Sequence, residues 1–435
     1  TVNVGTGVSE TIIQTYGVIT WGYSTYGGDS SAVSEDLSSG VVEIFSAAWG
    51  NAFAALKDDG SVVTWGHSTY GGDSSAVSED LSSGVVEISA NRHSFAALKD
   101  DGSVVTWGHE TRGGDSSAVS EDLLSGVVEI SPTDRAFAAL KDDGSVVTWG
   151  DSTYGGDSSA VSEALSSGIV EIFPAERAFA ALKDDGSVVT WGDDTRGADS
   201  SAVSEDLSSG VVEIFCNEIA FAALKDDGSV VTWGRSQDGG DSSAVSEALS
   251  SGVVEISSHA DGDAFAALKD DGSVVTWGDE NWGGDSSAVS EDLSSGVVEI
   301  FSTKYAFAAL KDDGSVVTWG AGGSGDSSAV SEDLSSGVVE IFSSQSVFAA
   351  LKDDGSVVTW GYEDYGGDSS AVSEDLSSGV VEIFSTHRAL AALKDDGSVV
   401  AWGEFWFEPE KQEDLNSGVV EIFSARYAFA ALVAE

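Results

Sequence analysis

The sequence predicts an all-β fold, a β-propeller built from ten repeats of about 42 residues. Three observations predict it. The stretch Ala55-Leu-Lys-Asp-Asp-Gly-Ser-Val-Val-Thr-Trp-Gly66 returns almost letter for letter, with its Trp at 107, 149, 191, 233, 277, 319 and 360. Altered copies end at Trp21 and Trp402. The constant segments are short, β-branched and aromatic, which suits strands and not helices. Pro occurs only 3 times against 52 Gly, so Gly and Ser must carry the turns. Repetition at a fixed period overrides the two or three domains that 435 residues would otherwise suggest, leaving one array over 1–435.

Within a unit, Phe53-Ala-Ala-Leu56 and Val62-Val-Thr-Trp65 read as strands joined by a hairpin at Asp59-Gly60, because Gly accepts the positive φ that the turn needs. A variable tetrapeptide follows each Trp-Gly. Next comes Gly71-Gly-Asp-Ser-Ser-Ala-Val-Ser-Glu-Asp-Leu81, in which Ser75-Ala-Val77 is expected to form a short fourth strand. Val85-Val-Glu-Ile88 is a further strand, followed by a second variable stretch. The strands are apolar on both faces, as in sheets sandwiched between neighbours. The regularly spaced Trp are expected to pack between sheets rather than to form a stacking ladder. Residues 404–412, Glu404-Phe-Trp-Phe-Glu-Pro-Glu-Lys-Gln412, form an atypical aromatic loop before the last repeat, read as a docking point or a cap.

The ends complement each other. Tyr427-Ala-Phe-Ala-Ala-Leu432 opens a unit that lacks its Trp-Gly strand, and residues 1–22 contain such a strand, Tyr16-Gly-Val-Ile-Thr-Trp-Gly22. Pairing within one molecule is expected to close a ring and hide both edges. An open spiral or a head-to-tail filament is the alternative, and Thr11-Ile-Ile13 competes as a partner for the N-terminal strand.

The order apolar-Ala-Leu-x-x-Asp-Gly-x-Val-x-x-Trp-Gly, then a Gly-containing loop, Leu and a Val-x-x-Ile strand, resembles the regulator of chromosome condensation repeat. The resemblance covers nearly the whole chain. It implies a β-propeller, usually of seven blades with longer units, whereas this chain has ten shorter ones. The family's best-known member binds nucleosomes and acts as an exchange factor on a small GTPase. Most relatives are binding modules.

Charge narrows the function. Nineteen basic residues face 74 acidic ones, a formal net charge of −55. Nucleic acid and anionic membranes would repel such a surface, since binding either requires neutralising phosphates. Self-repulsion of this size calls for screening by salt or divalent cations, which favours an extracellular or cell-surface setting over a cytoplasmic one. No long apolar run exists for membrane insertion. The first residues, Thr1-Val-Asn-Val4, have no signal-peptide character, and a chain with no Met that starts at Thr suggests processing or a fragment.

The two windows that vary hold the information. All eight Arg and all five His fall there, with eight of nine Tyr, whereas nine of eleven Lys are fixed in the Lys-Asp-Asp-Gly turn. Arg, Tyr and Trp dominate binding hot spots. The candidate partner-binding residues are Tyr26, Tyr70, Arg92, Arg112, Arg135, Tyr154, Arg177, Arg196, Arg235, Trp282, Tyr305, Tyr365, Arg388, Trp406 and Tyr427. The competing reading is drift of loops after duplication. If assembly is the function, Arg92, Arg112 or Arg177 should meet carboxylates of another copy.

Chemistry is sparse. Cys216 has no fixed His partner, no His recurs at one repeat position, and metal-ligand pairs and phosphate loops are missing. No enzyme, no cofactor and no resident metal are expected. The clustered carboxylates point to diffuse Ca²⁺ screening, since no EF-hand or Gly-x-Asp pattern is present. The expected function is a non-enzymatic structural or adhesive scaffold for protein partners, among them copies of itself. The alternatives are a regulator resembling a guanine-nucleotide exchange factor, and a glycan-binding or calcium-dependent surface protein.

Overall fold

The computed structural model describes residues 17–22, 24–47, 52–260, 262–404, 415–424 and 428–433. The described residues form ten three-stranded antiparallel sheets. In the first, a leading strand Val41–Ser46 pairs with a middle strand Ala52–Lys57, which pairs with a third strand Val62–Gly66. Sheets two to nine repeat this order over 85–108, 127–150, 169–192, 211–234, 253–278, 297–320, 338–361 and 380–403. The tenth takes Val419–Ser424 and Ala428–Val433 from one end of the chain and Gly17–Gly22 from the other. Thr11-Ile-Ile13 lies outside the described residues.

Each sheet is too thin to bury its own apolar residues, so neighbours complete the core. Ala178, Ala180 and Leu182 of the fourth sheet pack on Val211, Ile214, Phe221 and Trp233 of the fifth. Alanines on the middle strand let the next sheet approach closely. The tenth sheet is packed on both sides: Phe429 and Ala431 meet the ninth sheet, and Ala428, Ala430 and Leu432 meet the first. Phe53 stands opposite Trp65 in the register, and the rings stack at 5.1 Å. Eight Trp donate their indole N–H to a glycine carbonyl of the preceding repeat, as Trp107 does to Gly71 at 3.1 Å. The Trp are therefore core, as the sequence reading expected.

Leading strands of adjacent sheets lie side by side. A side-chain ladder ties them: Ser89 donates to Ile130 O, Ser258 to Cys216 O, Ser385 to Ser343 O, and Ser46 to Ser424 O across the two ends. A bulge at the second residue turns Val86, Val128 and their equivalents outward, and Glu87 and its counterparts follow them. Burial first, then the glutamates of adjacent sheets, hold Glu43, Glu87, Glu171, Glu255, Glu299, Glu382 and Glu421 above the usual carboxylate range.

The expected fourth strand does not form. Ser75–Val77 is a single 3₁₀ turn, and its equivalents are the same. The cause is local. Asp73 Oδ1 accepts the Ser75 N–H at 3.0 Å, and Val77 N–H bonds back to Ser74 O, so neither donor is left for a ladder. Leu81, buried just beyond, anchors the turn in the core.

Candidate functional site: the window face

The hairpin turns and the windows lie at opposite ends of the strands. At the turn end, Gly102 holds φ +75° and its carbonyl accepts from Val127 N at the start of the next sheet. At the other end the two variable windows meet. The first is a single 3₁₀ turn closed by a left-handed glycine, such as Ser68–Tyr70 ended by Gly71. A Cβ at Gly71 would stand 2.4 Å from the Phe95 ring, so the turn rests directly on the core.

The second window is pinned by its own first residue. Asn217 Oδ1 accepts from Ala220 N at 2.8 Å while its amide donates to Asp238 O in the first window of the same sheet. Thr133 likewise accepts from Ala136 N and donates to Tyr154 O. Asn91, Thr303, Ser344 and Thr386 cap the same turn. These positions are architectural, which the sequence reading missed by counting them as variable. Backbone bonds then join neighbouring sheets: Arg92 N to Asp134 O, Asp134 N to Glu176 O, Glu176 N to Glu218 O, and Lys304 N to Gln345 O.

The candidate residues divide into two sectors. In the second to sixth sheets the face is ionic. Arg92 pairs with Asp134 of the next sheet, and Arg196 Nη1 lies 2.9 Å from Glu176 and 3.5 Å from Glu218. Arg177 lies beside Glu176, and Arg235 Nε is 3.1 Å from Asp238 Oδ2. Tyr154 is only 5% exposed and sits between Arg135 and Arg177, at 4.5 and 4.8 Å from its ring centre. Arg112 is half-buried, and its carbonyl accepts from Asn91 and Ser94. Tyr70 packs on His67 and His93, and burial followed by Arg112 pushes His93 down to about 4. Tyr26 is half-buried in the first window of the tenth sheet.

Within the chain Arg92 and Arg177 already have carboxylate partners, Asp134 and Glu176. Backbone bonds between adjacent second windows bring Asp134 within reach of Arg92, whereas Glu176 is the residue next to Arg177. Tyr154 likewise joins two sheets and presents no free ring.

Two carboxylates in this sector are strongly perturbed. Burial first, then Glu176, pushes Glu218 up to about 7. Burial first, then Asp238, pushes Asp263 up to about 6. Asp238 is 4% exposed. Among the described residues no group of three or more His, Cys, Asp or Glu is placed to hold a metal ion. Cys216 turns its thiol onto Pro174 O, and burial pushes it up to about 12, too high for a nucleophile at neutral pH.

In the sixth to ninth sheets the face is aromatic. Trp282 meets Tyr305 at 4.9 Å, Tyr305 meets Tyr362 at 6.2 Å, Tyr362 meets Tyr365 at 6.0 Å, and Tyr365 meets His387 at 6.4 Å. Lys304 Nζ stands 5.2 Å from the Trp282 ring centre, and Arg388 stands 5.0 Å from that of Tyr365 while pairing with Glu404. Tyr362 and Lys304 were not among the sequence candidates, although both lie in the windows. Trp406 and Tyr427 lie outside the described residues, as does most of the 404–412 loop.

The leading strands of sheets five to eight bound a cavity of about 500 Å³ lined by Phe215, Cys216, Ser257, Ser258, Phe301 and neighbours. No helix of the described residues is long and apolar enough to cross a membrane.

No family model matches the chain, and no curated protein matches it. Several solved structures are similar in fold. Prp20p from Saccharomyces cerevisiae is 13% identical over 97% of this chain and 92% of that chain, with a TM-score of 0.39. Human WBSCR16 is 14% identical over 96% of this chain and 98% of that one, at 0.38. The receptor kinase CR4 ectodomain from Physcomitrella patens is 15% identical over 64% and 73%, at 0.35. No function follows from alignments this loose.

Proposed function

We propose that the protein is a non-enzymatic binding scaffold, a ring of ten blades closed by the pairing of Gly17–Gly22 with Ala428–Val433, whose window face receives a protein partner. One observation carries the reading. Both windows share one face, so nearly all side chains that differ between repeats are gathered on a single surface while the rest is constant. Much of the ionic sector is consumed in joining sheets, so the aromatic sector is the contact surface. Large rings on a rigid frame lose little entropy on binding. The packing of the tenth sheet against both the ninth and the first supports closure.

Carboxyl-directed crosslinking in a lysate of the source cells, read by mass spectrometry, tests the face. Crosslinks to other chains should fall on window residues such as Glu280, Glu363 and Asp364. Crosslinks that fall instead on the Lys-Asp-Asp-Gly turns reject the reading. Sedimentation over a concentration series separates a self-partner from a different protein.

A further inference from the structure

One repeat is built differently. Trp319-Gly-Ala-Gly-Gly-Ser-Gly-Asp326 carries one residue fewer than Trp277-Gly-Asp-Glu-Asn-Trp-Gly-Gly-Asp285. The left-handed glycine that closes other first windows is missing, and Gly322–Gly325 makes one short helical turn instead. Ser324 is fully buried and donates to Ser346 O at 2.6 Å.

The deletion has a consequence in the next sheet. In eight sheets the Trp indole N–H donates to a carbonyl of the preceding first window. Trp360 is the one whose preceding window is shortened, and its Nε1 is buried with no acceptor. A buried donor left without an acceptor is destabilising, so the frame is incomplete at this point.

The surface above is also distinct. Ala321-Gly322-Gly323 offers no large side chain, and a Cβ at Gly322 would find only the Tyr362 hydroxyl within 4 Å, at 3.6 Å. Tyr305 and Tyr362 rim this dip from two sheets. Tyr362 is 46% exposed. Glu363 and Asp364 beside it are exposed, and no ion pair engages them among the described residues. Elsewhere on the face, cations seat themselves on rings: Arg135 and Arg177 on Tyr154, Lys304 on Trp282, Arg388 on Tyr365. Among the described residues no cation sits on Tyr362, and the two carboxylates next to it have no ion-pair partner.

We propose that the shortened window is a docking site for an extended basic peptide segment of a partner protein. Its Arg or Lys side chain seats on Tyr362 between Glu363 and Asp364, above the shortened window in which Trp360 Nε1 lacks an acceptor. The proposal rests on the protein-binding reading above and narrows it to one site and one partner chemistry. Charge selects the ligand, because a neutral chain would leave both carboxylates unpaired and an anionic one would be repelled. A cation seated on an aromatic ring adds affinity when it is partly desolvated.

The experiment titrates the full chain with a ten-residue Arg/Gly/Ser peptide, a neutral Gly/Ser peptide of equal length and a soluble neutral oligosaccharide. Indole N–H resonances and calorimetry are read at about physiological ionic strength. The basic peptide should bind and shift the Trp360 indole resonance. Tyr362→Ala should weaken it about tenfold, and Tyr362→Phe should not. A Gly inserted between Ser324 and Gly325 repairs the window, and should remove the Trp360 shift and weaken binding while leaving the fold as stable or more so. Equal binding of the neutral peptide or the oligosaccharide overturns the proposal. So does basic-peptide binding that neither variant changes, since that is diffuse attraction to an acidic surface. Those failures leave the wider reading standing if crosslinks still map to the window face.

Discussion

The turn face and the window face are made by the same ten repeats, yet they hold themselves together in opposite ways. On the turn face every contact recurs. Lys99 Nζ donates to Asp80 O at 2.8 Å, Lys141 to Asp122 O and Lys225 to Asp206 O, and each hairpin glycine carbonyl accepts from the next leading strand. On the window face the caps of the second windows recur, but the contacts of the large and charged side chains are particular to their place: Arg92 with Asp134, Tyr154 between two Arg, Trp282 against Tyr305. Identical sequence enforces identical geometry at one end, whereas at the other the variable side chains meet different neighbours in each pair of sheets. The backbone belt of the second windows supplies regularity, so the side chains are released from that task.

The strongest test of this division strikes the constant frame. Phe221 is fully buried and stacks on Trp233 at 5.2 Å, so Phe221→Ala should cost about 3–5 kcal/mol in urea unfolding. Arg92→Ala in the window should cost about 1 kcal/mol or less, because its ion pair remains partly solvated. Next in size is the turn. Gly102 has φ +75°, and an added Cβ would lie 2.6 Å from Gly126 N, so Gly102→Ala should cost more than about 1 kcal/mol. A frame variant no worse than the Arg92 variant would erase the distinction.

The frame was legible because its signals are local. Asp59-Gly60 gives a hairpin by chemistry that lies within four residues, and Trp-Gly recurs at a readable period. The Ser75–Val77 turn was misread because the Asp73 carboxylate captures the N–H that a strand would need, an interaction that apolar patterning does not register. That the windows share a face depends on strand pairing, and the fate of Arg92, Arg177 and Arg196 depends on the adjacent repeat, so neither follows from one unit read alone. The shortened window was visible in the spacing between Trp319 and Trp360. Its effect was not, since the acceptor that Trp360 lacks belongs to another sheet.

A smaller effect separates the faces by pH. Glu218, pushed up to about 7, faces Glu176, Asp263, Arg196 and Lys304; Asp263, pushed up to about 6, faces Asp238, Asp279, Arg235 and Lys304. In the folded state both bind protons at pH values where the unfolded chain does not. Their contribution therefore rises as pH falls from about 7 toward the ordinary carboxylate range near 4, and is lowest above 7. The urea midpoint should climb between pH 8 and about pH 5.5. Glu218→Gln should flatten that climb, and an unchanged slope would show that the window carboxylates are not its source.

The smallest effect compares two carboxylates that carry the same charge. Glu255, on a leading strand, is held high by burial and by Glu299 and Glu213 on either side. Asp227, in a hairpin turn, is held low by hydrogen bonds from the Ser229 hydroxyl and N–H. Removing charge should then act with opposite sign. Glu255→Gln should raise the urea midpoint at neutral pH and low salt, and the gain should fade near 1 M salt, where screening shortens to about 3 Å. Asp227→Asn should lower the midpoint, and salt should leave that loss nearly unchanged, because it comes from hydrogen bonds and not from long-range repulsion. If both substitutions moved stability the same way, net charge alone would govern this protein and the position of each carboxylate would not matter.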